Sequence, residues 1–129
     1  MVGLDTGFFI SLMKSDSKAV DFWNSLGGKD YLPSVSILTI GEILYISYRL
    51  GKPKIGKTMV DNIFMSSRVL PIDRAIIEKA ASLKAGQDIP YVDSIIIASF
   101  MLNNCREFHT TDGKHFSKLK NKGIKIILY

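Results

Sequence analysis

Short apolar runs alternate with longer stretches of helical periodicity along the whole 129-residue chain, and that alternation confines the fold to the α/β class. Met1 to Leu4, Tyr31 to Val35, Val69 to Ile72, Glu107 to Thr110 and Ile124 to Leu128 read as strands. Pro33 suits the end of its strand better than the middle. Gly7 to Lys14 carries Phe8, Phe9, Leu12 and Met13 at helical spacing. Ser15-Asp16-Ser17 then starts a helix lined by Ala19, Phe22, Trp23 and Leu26, which Gly27-Gly28 stops. Ser36 to Arg49 is apolar almost all round, so this helix is expected to be buried. Gly51-Lys52-Pro53 breaks the chain before a helix running to about Ser67. Asp73 caps a helix from Arg74 to Ala85, and Ile89-Pro90-Tyr91 leads into a very apolar one from Val92 to Asn103. The expected architecture is a three-layer α/β/α sandwich on a mainly parallel sheet of about five strands. The length suits a single domain over residues 1–129, with no repeat, low-complexity segment or linker.

Four acidic residues stand where a strand hands over to a helix, or inside an otherwise apolar helix: Asp5, Glu42, Asp93 and Asp112. Buried carboxylates are costly unless paired or bound to a cation, and several together suit a hard metal ion. Each has a plainer alternative. Asp5 can cap the helix beginning near Gly7, although ligands in open parallel sheets bind beyond the carboxyl ends of strands, where Asp5 falls. Thr6 adds a hydroxyl there. Glu42 is flanked by Ile37, Leu38, Ile40, Ile43, Leu44, Tyr45 and Ile46, and Arg49 at i+7 is a long reach away. A buried carboxylate with no neighbour in sequence needs a partner in space. Asp93 opens its helix either as the cap or one position inside the first turn. Asp112 sits in an Asp-Gly pair, a common turn.

The remaining polar residues make a contrast. Asp16 and Asp73 read as helix caps, while Asp21, Asp61, Glu78 and Asp88 fit solvated faces or ends. Neither His109 nor His115 has a partner at metal-ligand spacing. There is no Cys-His cluster, G-x-G-x-x-G, P-loop or G-x-S-x-G, and Cys105 reads as a core filler. The net charge of +5 favours polyanionic partners. Lys114, Lys118, Lys120, Lys122 and Lys125 form one basic cluster and Arg49, Lys52, Lys54 and Lys57 another, although solvated faces would look the same. A lone cysteine, no stretch apolar enough to span a membrane, and an N-terminal run interrupted by Asp5 lead to the expectation of a soluble cytoplasmic domain.

Taken in order, Leu4-Asp5-Thr6, Glu42 before Ile43-Leu44, Asp93-Ser94-Ile95-Ile96-Ile97-Ala98, and Thr110-Thr111-Asp112 with Phe116 beyond resemble the PIN domain, particularly toxins of the VapC type. Each motif alone is weak; the ordered set spans the whole chain. The resemblance implies an endoribonuclease dependent on one or two Mg²⁺ or Mn²⁺ ions. Asp5, Glu42 and Asp93 would hold the first ion, and Asp112 would complete the site or hold a second. Thr6 and Thr110 would orient ligands or phosphate, and Arg49, Lys52, Lys114 and Lys118 would contact RNA. It also implies an antitoxin partner and a homodimer, with Phe8, Phe9, Leu12 and Met13 either part of the antitoxin groove or simply core. Many relatives carry a further Asp just before the closing Phe, where this chain has His115. A housekeeping RNA-processing nuclease and a silent interaction module share the same resemblance. A haloacid-dehalogenase-like phosphatase would use Asp5 as its nucleophile, but Gly7 in place of a second Asp and the lack of any Asp-Asp pair count against it.

Overall fold

Five strands, β1 (Val2–Leu4), β2 (Ser34–Ser36), β3 (Arg68–Leu70), β4 (Glu107–Thr110) and β5 (Lys125–Leu128), form one sheet in the order β3-β2-β1-β4-β5. All neighbours are parallel. The structure is a computed structural model and describes residues 1–119 and 123–129, apart from the side chain of Lys118. Lys120, Lys122 and the side chain of Lys118, all members of the basic cluster named above and the last an expected RNA contact, therefore lie outside the described residues. The chain builds the sheet outward from β1 through β2 to β3, then returns to the other side of β1 with β4. The carboxyl ends of β1 and β4 thus flank the point where strand order reverses, the usual place for a site in such sheets.

Among the described residues seven α-helices cover the sheet: α1 (Thr6–Met13), α2 (Ser17–Ser25), α3 (Ile37–Arg49), α4 (Pro53–Ser66), α5 (Arg74–Gln87), α6 (Tyr91–Leu102) and the one-turn α7 (Gly113–Phe116). Their starts follow from local chemistry. The side chains of Asp5, Asp16, Asp73 and Asp112 each accept a backbone N–H three residues on, and Ser36 accepts that of Leu38. Pro53 opens α4, where its missing N–H costs nothing.

Strand side chains alternate between two cores, as a pleated sheet covered on both faces demands. Val2, Leu4 and Val35 join Phe8, Phe9, Ala19, Ile40, Ile43, Val60 and Ile63 under α1 to α4. Leu70 and Phe108 join Ile76, Ala80, Ile96, Ile97 and Phe100 under α5 and α6, with Phe116 from α7. Gly3 is required in the middle of β1, because a Cβ there would overlap the Phe100 ring. The three-layer expectation holds.

Several boundaries move for physical reasons. The second strand is Ser34–Ser36, not Tyr31 to Val35; Pro33 lies just before it, and its carbonyl accepts the Arg68 N–H at 2.8 Å. The third strand stops at Leu70, ahead of Pro71. The third helix departs most from expectation. It buries one stripe, Thr39, Ile40, Ile43 and Ser47, but leaves Ile37, Tyr45 and Tyr48 exposed. A nearly all-apolar helix is therefore not fully buried here.

Candidate metal centre

Asp5 follows β1 directly, and its backbone N–H donates to the carbonyl of His109 at 3.1 Å, which fixes the strand end against β4. Its carboxylate is buried and doubly held. Oδ1 accepts the Phe8 N–H at 2.9 Å as the cap of α1, and Oδ2 accepts the Thr110 hydroxyl at 2.5 Å. Helix capping and a place beyond the strand end, alternatives in the sequence, fall to one residue. A Cβ at Gly7 would meet the Thr111 hydroxyl, which would have to turn away.

Glu42 points from the middle of α3 towards the same place and is half-buried. Its Oε1 accepts the Thr6 hydroxyl at 2.6 Å, and Thr6 Oγ1 also lies 3.1 Å from the Thr39 hydroxyl. Thr6 has one proton, so Glu42 takes it and Thr39 donates back to Thr6. Arg49 does not reach Glu42; its Nη1 donates to the Tyr45 hydroxyl at 3.2 Å.

Asp93 is the third residue of α6, whose cap position is occupied by Pro90 without any side-chain cap bond. It is a first-turn carboxylate, not the cap, and a negative charge there is favoured by the helix dipole. Both oxygens are left without a protein donor among the described residues. Asp112 follows β4 and caps α7, its Oδ1 accepting the His115 N–H at 3.0 Å. Its Oδ2 lies 2.7 Å from Nδ1 of His115, and its backbone N–H donates to the Thr110 hydroxyl oxygen at 3.0 Å.

Two of the four carboxylates, Asp5 and Asp93, are raised in part by acidic neighbours. Burial, then the Asp93 and Glu42 charges, push Asp5 from 3.8 to about 6 against the opposing bonds from Thr110 and Phe8. Asp93 is also raised, first by burial and then by the charges of Asp112 and Glu42, with His115 opposing. Asp112 is partly desolvated, but the two bonds from His115 and the charges of His115 and Lys114 outweigh that and hold it below the ordinary range. The Asp93 charge thus helps to raise Asp5, and Asp93 is itself raised by Asp112 and Glu42.

Residues 2–122 match the family model of the PIN domain. The chain belongs to the PIN-domain family. No curated protein matches it in sequence. Among solved structures it is similar to VapBC2 from Rickettsia felis bound to a promoter DNA fragment, at 14% identity and a TM-score of 0.82 over 100% of this chain and 99% of that one. It is similar to VapBC-1 from nontypeable Haemophilus influenzae at 19% identity and a TM-score of 0.78 over 99% and 98% of the two chains. VapC20 from Mycobacterium tuberculosis, titled a sarcin-ricin loop cleaving toxin, matches at 18% identity and a TM-score of 0.73 over 91% and 94%. At these identities the likeness is one of fold.

This PIN domain brings all four predicted acids to one end of the sheet, but not into one ligand shell. One ligand atom each from Asp93, Asp112 and His115 lies within 4.8 Å of the others. Asp5 and Glu42 stand beside that group, held by Thr110 and Thr6. His115 was set aside in the sequence for want of a partner; the i,i+3 spacing from Asp112 on a one-turn helix was the available signal. Thr39 and Gly7 were also passed over. Of the predicted RNA contacts, Lys114 is exposed beside Asp112. Arg49 and Lys52 are exposed at the far end of α3, with Arg49 roughly 10 Å along the axis from Glu42. Phe8 and Phe9 are fully buried core, whereas Met13 lines a small apolar groove with Ile43, Ile46, Leu50 and Ile55. A cavity of about 600 Å³ lies at the amino end of β2 beside Trp23, Leu26, Tyr31 and Pro33, and none of the four candidate acids lines it.

Proposed function

We propose that this PIN domain, acting as one unit over residues 1–129, is a metal-dependent endoribonuclease and the toxin of a toxin–antitoxin pair. The observation that carries the reading is the electrostatic coupling of Asp93 with Asp5, Glu42 and Asp112 at the strand-order reversal. Such repulsion between carboxylates is relieved by a divalent cation, and the donor set fits one: mainly carboxylate oxygens, with Asp93 free of protein donors among the described residues. Asp93 and Asp112 would hold the ion directly, with Asp5 and Glu42 completing the centre or holding a second ion.

When bound, Mg²⁺ or Mn²⁺ would neutralise phosphate charge and acidify a water for phosphodiester hydrolysis. The chain's own residues do the positioning. Thr110 and the Phe8 N–H orient both oxygens of Asp5, and Thr6 orients Glu42. Burial and the neighbouring carboxylates raise Asp5 and Asp93 in the metal-free protein, and a bound cation would favour their ionised forms. Lys114, beside Asp112, offers a phosphate contact close to the centre, and Arg49 and Lys52 a more distant one; these give affinity without sequence choice.

The partner assignment rests on the solved neighbours titled as toxin–antitoxin complexes from Klebsiella pneumoniae and as VapBC assemblies. The apolar groove along Met13, Ile43, Ile46, Leu50 and Ile55 suits an apolar segment of an antitoxin, and the exposed Tyr45 and Tyr48 suit a second copy of the chain in a homodimer. Among the described residues no helix is long and apolar enough to cross a membrane, in keeping with a cytoplasmic RNA target. The test is incubation of the purified protein with a mixed RNA pool in Mn²⁺, Mg²⁺ or EDTA. Cutting that requires metal supports the nuclease; no cutting, with no metal bound, contradicts it.

A further inference from the structure

We infer that His115 is a nitrogen ligand of the cation centre and that it biases this site towards transition-metal ions over Mg²⁺ and Ca²⁺. The inference rests on the proposed metal-dependent function and concerns which ions the site takes. Three observations place the imidazole there. A ring nitrogen of His115 and one oxygen each of Asp93 and Asp112 lie within 4.8 Å of one another. Donors on one octahedral ion stand about 3 Å apart when adjacent and about 4 Å when opposite, so only a small side-chain adjustment closes this triad. The ring is also poised in advance. Its own N–H holds the Asp112 cap, and the next residue, Phe116, is buried with its ring 4.5 Å from that of Phe108, which anchors α7 to the sheet.

The third observation is the ring's lack of other employment. Among the described residues its sole side-chain hydrogen-bond partner is Asp112, at 2.7 Å through Nδ1. A histidine kept to brace the fold would be enclosed and bonded at both nitrogens, as His109 is by Tyr129 and Glu107. The His115 side chain instead stays about one-third exposed, at 32%, opposite Asp93. An ion held by both Nδ1 of His115 and Oδ2 of Asp112, which lie 2.7 Å apart, would take the place of the proton between them.

The chemical consequence follows from ligand softness. Mg²⁺ and Ca²⁺ take oxygen donors almost exclusively, whereas affinity for an imidazole rises along the first-row series from Mn²⁺ to Cu²⁺. Replacing one oxygen by His115 nitrogen therefore widens the gap between Mg²⁺ and Mn²⁺, Fe²⁺ or Co²⁺. The all-oxygen ligand set expected from the sequence becomes a mixed nitrogen and oxygen set.

The experiment is Mn²⁺ titration of the full chain, followed by pulsed electron paramagnetic resonance for nitrogen coupled to the bound ion. The wild type should show a ¹⁴N coupling of a directly bound imidazole. In His115→Ala that coupling should vanish while Mn²⁺ still binds, with affinity down by about tenfold or more and Mg²⁺ affinity much less changed. In His115→Asp, Mn²⁺ should bind without a nitrogen signal and the Mn²⁺-over-Mg²⁺ preference should narrow. Mn²⁺ bound to the wild type with no nitrogen coupling, or a coupling that survives in His115→Ala, would overturn the inference and leave the metal centre standing. Failure of the wild type to bind Mn²⁺ at all would overturn both.

Discussion

The Thr110 hydroxyl donates to Oδ2 of Asp5 at 2.5 Å, joining the ends of adjacent strands from residues 105 positions apart in sequence. That single bond couples the fold to the site. Thr110 is fully buried, its hydroxyl oxygen also accepts the Asp112 N–H, and so one side chain sets the spacing between two of the four acids.

Thr110→Val keeps the shape and removes the hydroxyl. Asp5 then loses the bond that most opposes its burial, so its carboxyl should rise above the wild-type value of about 6. The Asp112 N–H loses its acceptor as well. Stability should fall by about 1–3 kcal/mol, measured by urea denaturation, and Mn²⁺ affinity measured by calorimetry should fall with it. A variant as stable and as tightly metal-binding as the wild type would show that Thr110 does not organise the site.

Asp5 also dictates how the metal-free protein answers to pH. Its folded carboxyl sits near 6 and its ordinary value is 3.8, so between those values the folded state holds a proton that the unfolded state has released. Stability is therefore fully present below about 4 and is lost as pH rises through about 6, by an amount on the order of 3 kcal/mol. Asp93 shifts in the same direction, while Asp112, held low, contributes the opposite slope only on acidification. Thermal melting in EDTA should accordingly fall between pH 4.5 and 7. Asp5→Asn should flatten that slope. Saturating Mn²⁺ should reverse it, because the ion binds the ionised site of the folded state.

Gly3→Ala tests the packing that carries the site. The added methyl would overlap the fully buried Phe100 ring between β1 and α6. Forcing a methyl into such a core costs about 1–3 kcal/mol, and the displaced helix is the one that presents Asp93. Denaturation midpoint and metal affinity should both drop. Adding Phe100→Leu to Gly3→Ala should recover part of the stability.

The sheet and the helices were legible because they are local signals, apolar runs and caps, and so was the placing of four acids at strand ends or within apolar helices. The architecture followed from alternation alone. Burial of α3 was not legible, because a face that meets no other element of the chain looks in sequence like a face that does; Tyr45 and Tyr48 are exposed for that reason. The dual role of Asp5 was hidden too, since its cap and its place beyond β1 read as alternatives until both oxygens were located. The nearness of His115 to Asp93 was hidden because Asp93 comes from α6, and only folding brings the two together. Ser67 has a buried hydroxyl without a partner among the described residues, and we have no physical account of it.

The most direct test of the account is single-turnover cleavage of RNA by the wild type and by Asp93→Asn, each in Mn²⁺ and in EDTA. Asp73→Asn serves as a control, since Asp73 caps α5 far in sequence from the four acids. Asp93→Asn removes the charge shared by the whole centre while leaving the helix cap at Pro90 untouched. The account predicts metal-dependent cleavage by the wild type and the Asp73→Asn control, and loss of cleavage of about a hundredfold or more in a folded Asp93→Asn protein. Cleavage by Asp93→Asn at the wild-type rate, or cleavage by the wild type undiminished in EDTA, would contradict it.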